Sequence, residues 1–209
     1  MRDGFVLEPD VVQLNHGSFG ACPIPVFEEY QRIQRELEEG PTDFFTRKVA
    51  RWFWGDPEQP GRMAEARASL ASFLGVRAED LVFVPNATSG LNAVIRSLSL
   101  EPGDEVLTTA HEYGAITMTW EFAGATLVVC EPEEIVSRIG PRTRAVSVSH
   151  VTSPTALVFP VEEICAAARA AGVLAIVDGA HAPGQLPLDV ESVGADVYAG
   201  NCHKWMCAP

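Results

Sequence analysis

The sequence predicts an α/β protein: a mostly parallel sheet with helices on both faces, three layers in all. Three observations predict it. From residue 81 onward short apolar runs recur, "LVFV", "EVLTT", "TLVVC", "AVSVS", "LAIVD" and "ADVYAG". Runs this short and this apolar suit strands buried on both faces, as in a parallel sheet. Helical stretches separate them, notably "GLNAVIRSLS" and "VEEICAAARAAG", and parallel strands need such crossovers. Finally, polar clusters follow the carboxyl ends of these runs, where open α/β sheets collect ligands.

The elements before the sheet follow in order. "MRDGFVLEPDVVQLNHG" carries acidic residues where a signal peptide needs an apolar centre. Val26, Tyr30, Ile33 and Leu37 fall at helical spacing after the turn-forming "CPIP" and predict an amphipathic helix. "EEGPTDFFTRKVARWFWGDPEQPG" reads as helix fragments and loop. Met63, Ala66, Leu70, Phe73 and Leu74 predict a second helix, with Gly75 as its stop. Residues 1–60 are therefore expected to form an N-terminal segment, and residues 61–209 the α/β domain.

Bulk composition narrows the function classes. The chain has 209 residues, 47% of them apolar and 21% charged, ordinary proportions for a soluble globular protein. Its net charge of −13, from 28 acidic and 15 basic residues, opposes phosphate backbones and anionic lipid surfaces. Neither nucleic acid nor a membrane is expected as a partner. No apolar run is long enough to span a bilayer. The five cysteines are odd in number, scattered and free of any Cys-x-x-Cys pair. That pattern argues against a disulfide scaffold and against structural zinc, so no metal is expected, and it favours a reducing cytoplasm.

Four strand ends and the last run carry the chemistry. "LVFVPNATSG" passes through Asn86, Ala87, Thr88 and Ser89 into a helix whose free N–H groups suit a phosphate. Taken singly, these residues read as helix caps. "LAIVDGAHAPG" ends on Asp178, with His181 three residues on; a carboxylate there needs a cationic partner, or else caps the next turn. "AVSVSHVTSPT" delivers His150 and Ser153, and "TTAHEYGA" delivers His111, Glu112 and Tyr113; singly, a satisfied histidine and a polar loop are the ordinary readings. "GNCHKW" places Lys204 among apolar neighbours, where an amine pKa falls toward that of a nucleophile, although a lone lysine is more often solvated. Together they make a phosphate cradle, a carboxylate for a ring nitrogen, an aromatic face and a late lysine. Those are the four requirements of pyridoxal 5′-phosphate.

The ordered blocks "LNHGSFG", "PNATSGLNAV", "HEYGA", "SHVTSPT", "VDGAHAPGQLPLD" and "GADVYAGNCHKWMCAP" resemble the class V aminotransferase family of pyridoxal-phosphate-dependent fold type I enzymes. The resemblance covers nearly the whole chain and is nearest to the isopenicillin N epimerase-like branch, with cysteine desulfurases more distant. It implies that Lys204 forms the Schiff base with the cofactor and that Asp178 pairs with the pyridine nitrogen. It implies further that His181 reaches toward the phenolic oxygen with Ser153 nearby, and that Tyr113 lies on the ring face, where desulfurases carry a histidine. Ala87 and Thr88, with Asn201 and His203, would hold the phosphate. Asn15, His16 and Gly17 look like the N-terminal segment that approaches the substrate. An amino-acid substrate, a homodimer and a cytoplasmic location are implied as well.

Two departures stand out. The stretch between "HEYGA" and "TRAVSVSH" is shorter than in the family, so a helix is expected to be shortened or lost there. Relatives continue well beyond the lysine into a small C-terminal domain, so the chain reads as a large domain with that domain missing. Three outcomes of the implied chemistry stay open: epimerisation, carbon–sulfur cleavage and transamination. Neither Cys202 nor Cys207 sits where a desulfurase carries its nucleophile, which makes that outcome the weaker one. A catalytically incomplete fragment that only binds cofactor or dimerises is the alternative. A nucleotide-binding module is a remote third, since neither G-x-G-x-x-G nor G-x-x-x-x-G-K-[ST] occurs.

Overall fold

The computed structural model describes residues 2–49 and 61–209; the helix fragments and loop expected over residues 50–60 lie outside the described residues. Two compact units emerge, Met1–Phe83 together with Cys202–Pro209, and Val84–Asn201.

In the first unit the N-terminal residues form α1 (His16–Phe19), α2 (Ile24–Glu39), α3 (Pro41–Asp43) and α4 (Arg62–Leu74). Asn15 caps α1 by accepting the Gly17 N–H at 2.8 Å, the usual work of an asparagine at that position. α2 starts with proline in its first turn, where the missing N–H costs nothing. Its stripe of Val26, Tyr30, Ile33 and Leu37 is helical as expected, yet no residue of α2 is fully buried. Charge ties it down instead: Glu36 accepts from Lys48 Nζ at 2.8 Å and from Arg62 Nη1 and Nη2 at 2.8 and 2.9 Å. α4 stops where the sequence predicts, with Gly75 at φ 66° and its N–H bonded to the Ala71 carbonyl. Only glycine enters that left-handed conformation without strain.

The sheet lies in the second unit. Five parallel strands, β1 (Glu105–Thr108), β2 (Thr126–Val129), β3 (Thr143–Ser149), β4 (Leu174–Gly179) and β5 (Val197–Gly200), take the order β2-β1-β3-β4-β5. Each matches a predicted run. "LVFV" is the exception and corrects the sequence reading: Leu81–Val84 is not a strand, and Val82, Phe83 and Val84 remain exposed. A strand exists only through its pairing, and Leu81–Val84 is not among the paired strands of the sheet.

Helices α5 (Ala87–Ser97), α6 (Gly114–Phe122), α7 (Ile135–Arg138), α8 (Val161–Ala170) and α9 (Val190–Val193) complete the unit. The period-2 alternation of the strands sorts their side chains into two cores. On one face Val106, Ala145 and Ile176 pack with Leu91 and Ile95 of α5 and with Ile116 and Trp120 of α6. On the other, Leu107, Val146, Val148, Ala175 and Val177 pack with Val161, Ile164, Cys165 and Ala168 of α8. Burial pushes the Cys165 thiol up to about 11, so it is an inert core residue. The expected three-layer α/β arrangement is therefore present. The stretch between "HEYGA" and "TRAVSVSH" carries α6, nine residues long, which turns into β2 through Gly124 at φ 86°.

Among the described residues no helix is long and apolar enough to cross a membrane. Ile176, fully buried in the interior strand β4 beneath α5, tests the packing. Replacing it with alanine is expected to cost about 2–5 kcal/mol of stability by chemical denaturation, because the cavity cannot fully collapse.

Candidate active site

The polar groups of the second unit gather at the carboxyl ends of its strands. β4 ends on Asp178, which is 7% exposed and lies opposite Ser149 in the β3 register. The alternation that sends Ile176 to the α5 side sends Asp178 there too. Its Oδ1 accepts the Ala180 N–H at 2.9 Å, and its carbonyl accepts the His150 N–H at 2.9 Å. A buried carboxylate held by a backbone N–H keeps a fixed direction.

β3 shows why "AVSVS" carries serines in a buried run. Ala145, Ser147 and Ser149 fall on the α5–α6 face, and Ser147 accepts the Trp120 Nε1–H at 2.9 Å. Ser149 Oγ donates to Glu112 Oε2 at 2.6 Å. Thr109, just past β1, donates from its Oγ1 to Glu112 Oε1 at 2.7 Å and accepts the His111 N–H at 3.2 Å. Glu112 was passed over in the sequence as part of a polar loop. Its signal was the alternating serines of β3, polar positions on a face that should otherwise be apolar. Burial, and then the negative charge of Asp178, push the Glu112 carboxyl above the ordinary 4.5, against the pull of its hydrogen bonds from Ser149 and Thr109.

The next residue along, Tyr113, is half exposed and opens α6, whose Ile116 N–H bonds to the Tyr113 carbonyl at 2.8 Å. His150 turns to the opposite face, with Nδ1 2.9 Å from the Tyr198 hydroxyl, and burial lowers its pKa. This is the satisfied core histidine of the ordinary reading. The Tyr198 ring lies so close to Gly179 that a Cβ there would overlap it. Ser153 is exposed in the following loop, and His181 is partly buried after Asp178.

The turn into α5 is held from β5. The buried Ala87 N–H donates to Asn201 Oδ1 at 2.8 Å, and the Ser89 N–H donates to the Asn86 side chain at 2.8 Å. Ala87 and Asn201, expected to hold a phosphate side by side, thus spend one hydrogen bond on each other. Thr88 stands between them and Ser89, partly buried in the first turn.

In the first unit, Lys204 and His203 lie in a turn closed by the Cys207 N–H on the Lys204 carbonyl at 3.1 Å. The "LNHGSFG" segment runs against that turn: a Cβ at Gly20 would meet the His203 carbonyl oxygen at 2.9 Å and that of Lys204 at 3.3 Å. Gly17 is buried and Asn15 is its cap. His16 Nδ1 accepts the Ala21 N–H at 3.3 Å and lies 3.6 Å from Cys207 Sγ, while its ring is 6.2 Å from that of Trp205. That acceptor role puts the proton of a neutral His16 on Nε2. Among the described residues no cluster of His, Cys, Asp or Glu is arranged to hold a metal ion.

The chain is similar to known proteins. The sequence profile described as Aminotransferase class-V matches residues 58–209. Isopenicillin N epimerase of Streptomyces clavuligerus is 38% identical over 223 residues, covering 100% of this chain and 54% of that protein. A putative L-cysteine desulfhydrase of Oryza sativa subsp. japonica is 30% identical, covering 97% of this chain and 46% of its own length. Among solved structures, a C-DES mutant with glycine covalently linked to its PLP cofactor superposes with a TM-score of 0.86 at 26% identity, over 100% of this chain and 57% of that one. The chain spans about half the length of the curated relatives it matches.

Two substitutions test the geometry. Asn201→Ala leaves the buried Ala87 N–H without its acceptor, and is expected to lower stability by about 1–3 kcal/mol in a denaturant titration. Glu112→Gln tests the raised carboxyl. Below 4.5 both folded and unfolded chains hold this proton. As pH rises through the higher folded value, the native state must carry a desolvated charge, so stability is lost. The Tm of the Gln variant relative to wild type is therefore expected to increase as pH rises above 4.5 and to level off once pH has passed the folded value.

Proposed function

Because this chain belongs to the class V aminotransferase family, we propose that it is the cofactor-binding part of a pyridoxal-phosphate-dependent enzyme that works at the Cα of an amino acid, after the manner of isopenicillin N epimerase. The observation that carries this reading is Asp178: a buried carboxylate, oriented by the Ala180 N–H, at the carboxyl end of an interior parallel strand. A carboxylate so placed suits a cationic ligand group. A protonated ring nitrogen is such a group.

The remaining donors fit the same group. The first turn of α5 presents the Thr88 and Ser89 side chains at the positive end of an eleven-residue helix, which suits a phosphate. Tyr113 presents a half-exposed ring on which a flat heterocycle can lie. The profile match over 58–209 supports assigning residues 61–209 to cofactor binding and residues 1–60 to an N-terminal segment whose Asn15, His16 and Gly17 approach the substrate. When bound, pyridoxal phosphate supplies an electron sink for the pair left at Cα.

The chain's own residues do the rest in this reading. Lys204 Nζ would hold the cofactor's aldehyde carbon and would serve as the base for the Cα proton. Asp178 keeps the ring nitrogen protonated. Tyr113 packs on the ring, His181 and Ser153 address the phenolic oxygen, and Thr88, Asn201 and His203 hold the phosphate with the Ala87 turn. Return of a proton to Cα from the other side gives epimerisation. Carbon–sulfur cleavage is the second reading, favoured by the likeness to the cysteine desulfhydrases and to C-DES. The acidic charge and five free thiols support a cytoplasmic protein, and the family habit supports a homodimer.

Borohydride tests the lysine. Wild-type protein loaded with pyridoxal phosphate, reduced and then denatured is expected to retain one pyridoxyl group per chain by mass, on the peptide containing Lys204. Lys204→Ala is expected to retain none; a pyridoxyl group persisting in that variant refutes the assignment.

A further inference from the structure

The Tyr113 loop is held by a device that the family resemblance does not assign. We propose that Glu112 is a positioning residue: its carboxyl clamps the 109–113 loop across the carboxyl ends of β1 and β3, and thereby fixes the Tyr113 ring relative to Asp178. The proposal deepens the pyridoxal-phosphate reading and rests on it.

Both oxygens are engaged, and by different strands. Oε1 accepts from Thr109 at the end of β1, and Oε2 accepts from Ser149, 37 residues away at the end of β3. Thr109 and Ser149 are themselves buried, at 2% and 3% exposure, so neither hydroxyl has a free choice of water as partner. The Thr109 hydroxyl also accepts the His111 N–H, so the clamp closes a tight turn inside the loop. Ser149 in turn pairs with Asp178 across the β3–β4 register, and the next residue, His150, donates its N–H to the Asp178 carbonyl. A continuous chain of short bonds therefore runs from the backbone beside Tyr113 to the backbone of Asp178.

A cofactor ring lying on Tyr113 with its nitrogen at Asp178 needs that spacing held to within about 0.5 Å for a well-formed site. Loop backbone alone does not supply such precision, because loops are the more mobile part of a fold. A side chain that bridges two strands does. Burial and the nearby Asp178 charge both favour the protonated form of Glu112. In that form one oxygen donates rather than accepts, and a serine or threonine hydroxyl serves either way. Glutamine reproduces this neutral, two-armed arrangement, whereas alanine deletes it.

Two readouts on the full-length polypeptide, one without cofactor and one with, test the idea. In the cofactor-free protein, hydrogen exchange of the 110–114 amides is expected to speed up at least 10-fold in Glu112→Ala, with β1 and β3 amides unchanged. In Glu112→Gln it is expected to stay within about twofold of wild type. In a titration with pyridoxal phosphate followed by visible absorbance, Glu112→Ala is expected to bind at least 10-fold more weakly and with a displaced absorption maximum; Glu112→Gln is expected to match wild type in both. Ser149→Ala, which removes one arm only, is expected to give a smaller change of the same sign and serves if Glu112→Ala does not fold. Unchanged loop exchange in the alanine variants overturns the clamp. Faster exchange with unaltered cofactor affinity and absorbance overturns the positioning role. A wild-type protein that binds no pyridoxal phosphate defeats the functional reading instead, while the exchange experiment still judges the clamp.

Discussion

The parallel pairing of β3 with β4, which sets Ser149 opposite Asp178, is the constraint from which the rest of the second unit follows. The register makes the α5–α6 face apolar in the middle of the sheet, at Ala145 and Ile176, and polar at its carboxyl end. A slip by one residue would send Asp178 into the core beneath α8 and Val177 to the ligand edge. Because β3 and β4 are largely buried on both faces, such a slip is costly in both directions. The position of the carboxylate is therefore enforced by the packing of Val146, Val148 and Val177 on one side and of Ile176 on the other.

The same packing creates an electrostatic problem at the strand ends. Asp178 and Glu112 meet on one face with little water, and two ionised carboxyls there would repel each other. The structure answers asymmetrically. Asp178 receives a backbone N–H, which favours charge. For Glu112, desolvation outweighs its hydrogen bonds from the Ser149 and Thr109 hydroxyls and the Ser149 backbone, and its carboxyl stands above the ordinary 4.5. Environments that push two acids apart are the usual way a site gives like residues unlike roles. Here Glu112 ties the 109–113 loop to β3, while Asp178 is fixed by the backbone at the end of β4.

The first unit shows a different kind of specification. Its helices present apolar stripes that are not closed over, and its cohesion around Glu36 comes from three cationic side chains, Arg32, Lys48 and Arg62. Close backbone approach does the finer work: the absence of a Cβ at Gly20 lets the "LNHGSFG" segment lie against the His203–Lys204 turn. That juxtaposition joins residues that are far apart in sequence, the segment read as facing substrate and the turn carrying the lysine.

The sequence by itself determined the layer order, the five strands and the stop of α4, because hydrophobic periodicity and glycine stereochemistry act over a few neighbouring residues. It also brought Asp178, Tyr113, Thr88 and Lys204 to notice as a set, since their spacing along the chain is itself the signal. Only the tertiary structure decided that "LVFV" stays out of the sheet, for a strand exists only where a second edge meets it. The Ala87–Asn201 hydrogen bond and the passage of His150 to the far face were likewise invisible, since both depend on partners 114 and 48 residues away. Glu112 is the plainest case. Thr109 is its one partner nearby in sequence; the rest of its chemistry comes from Ser149 and Asp178, far along the chain. Long-range contacts set how well a group is solvated and what it is bonded to, and those two quantities decide whether a carboxyl serves as a charge or as a clamp.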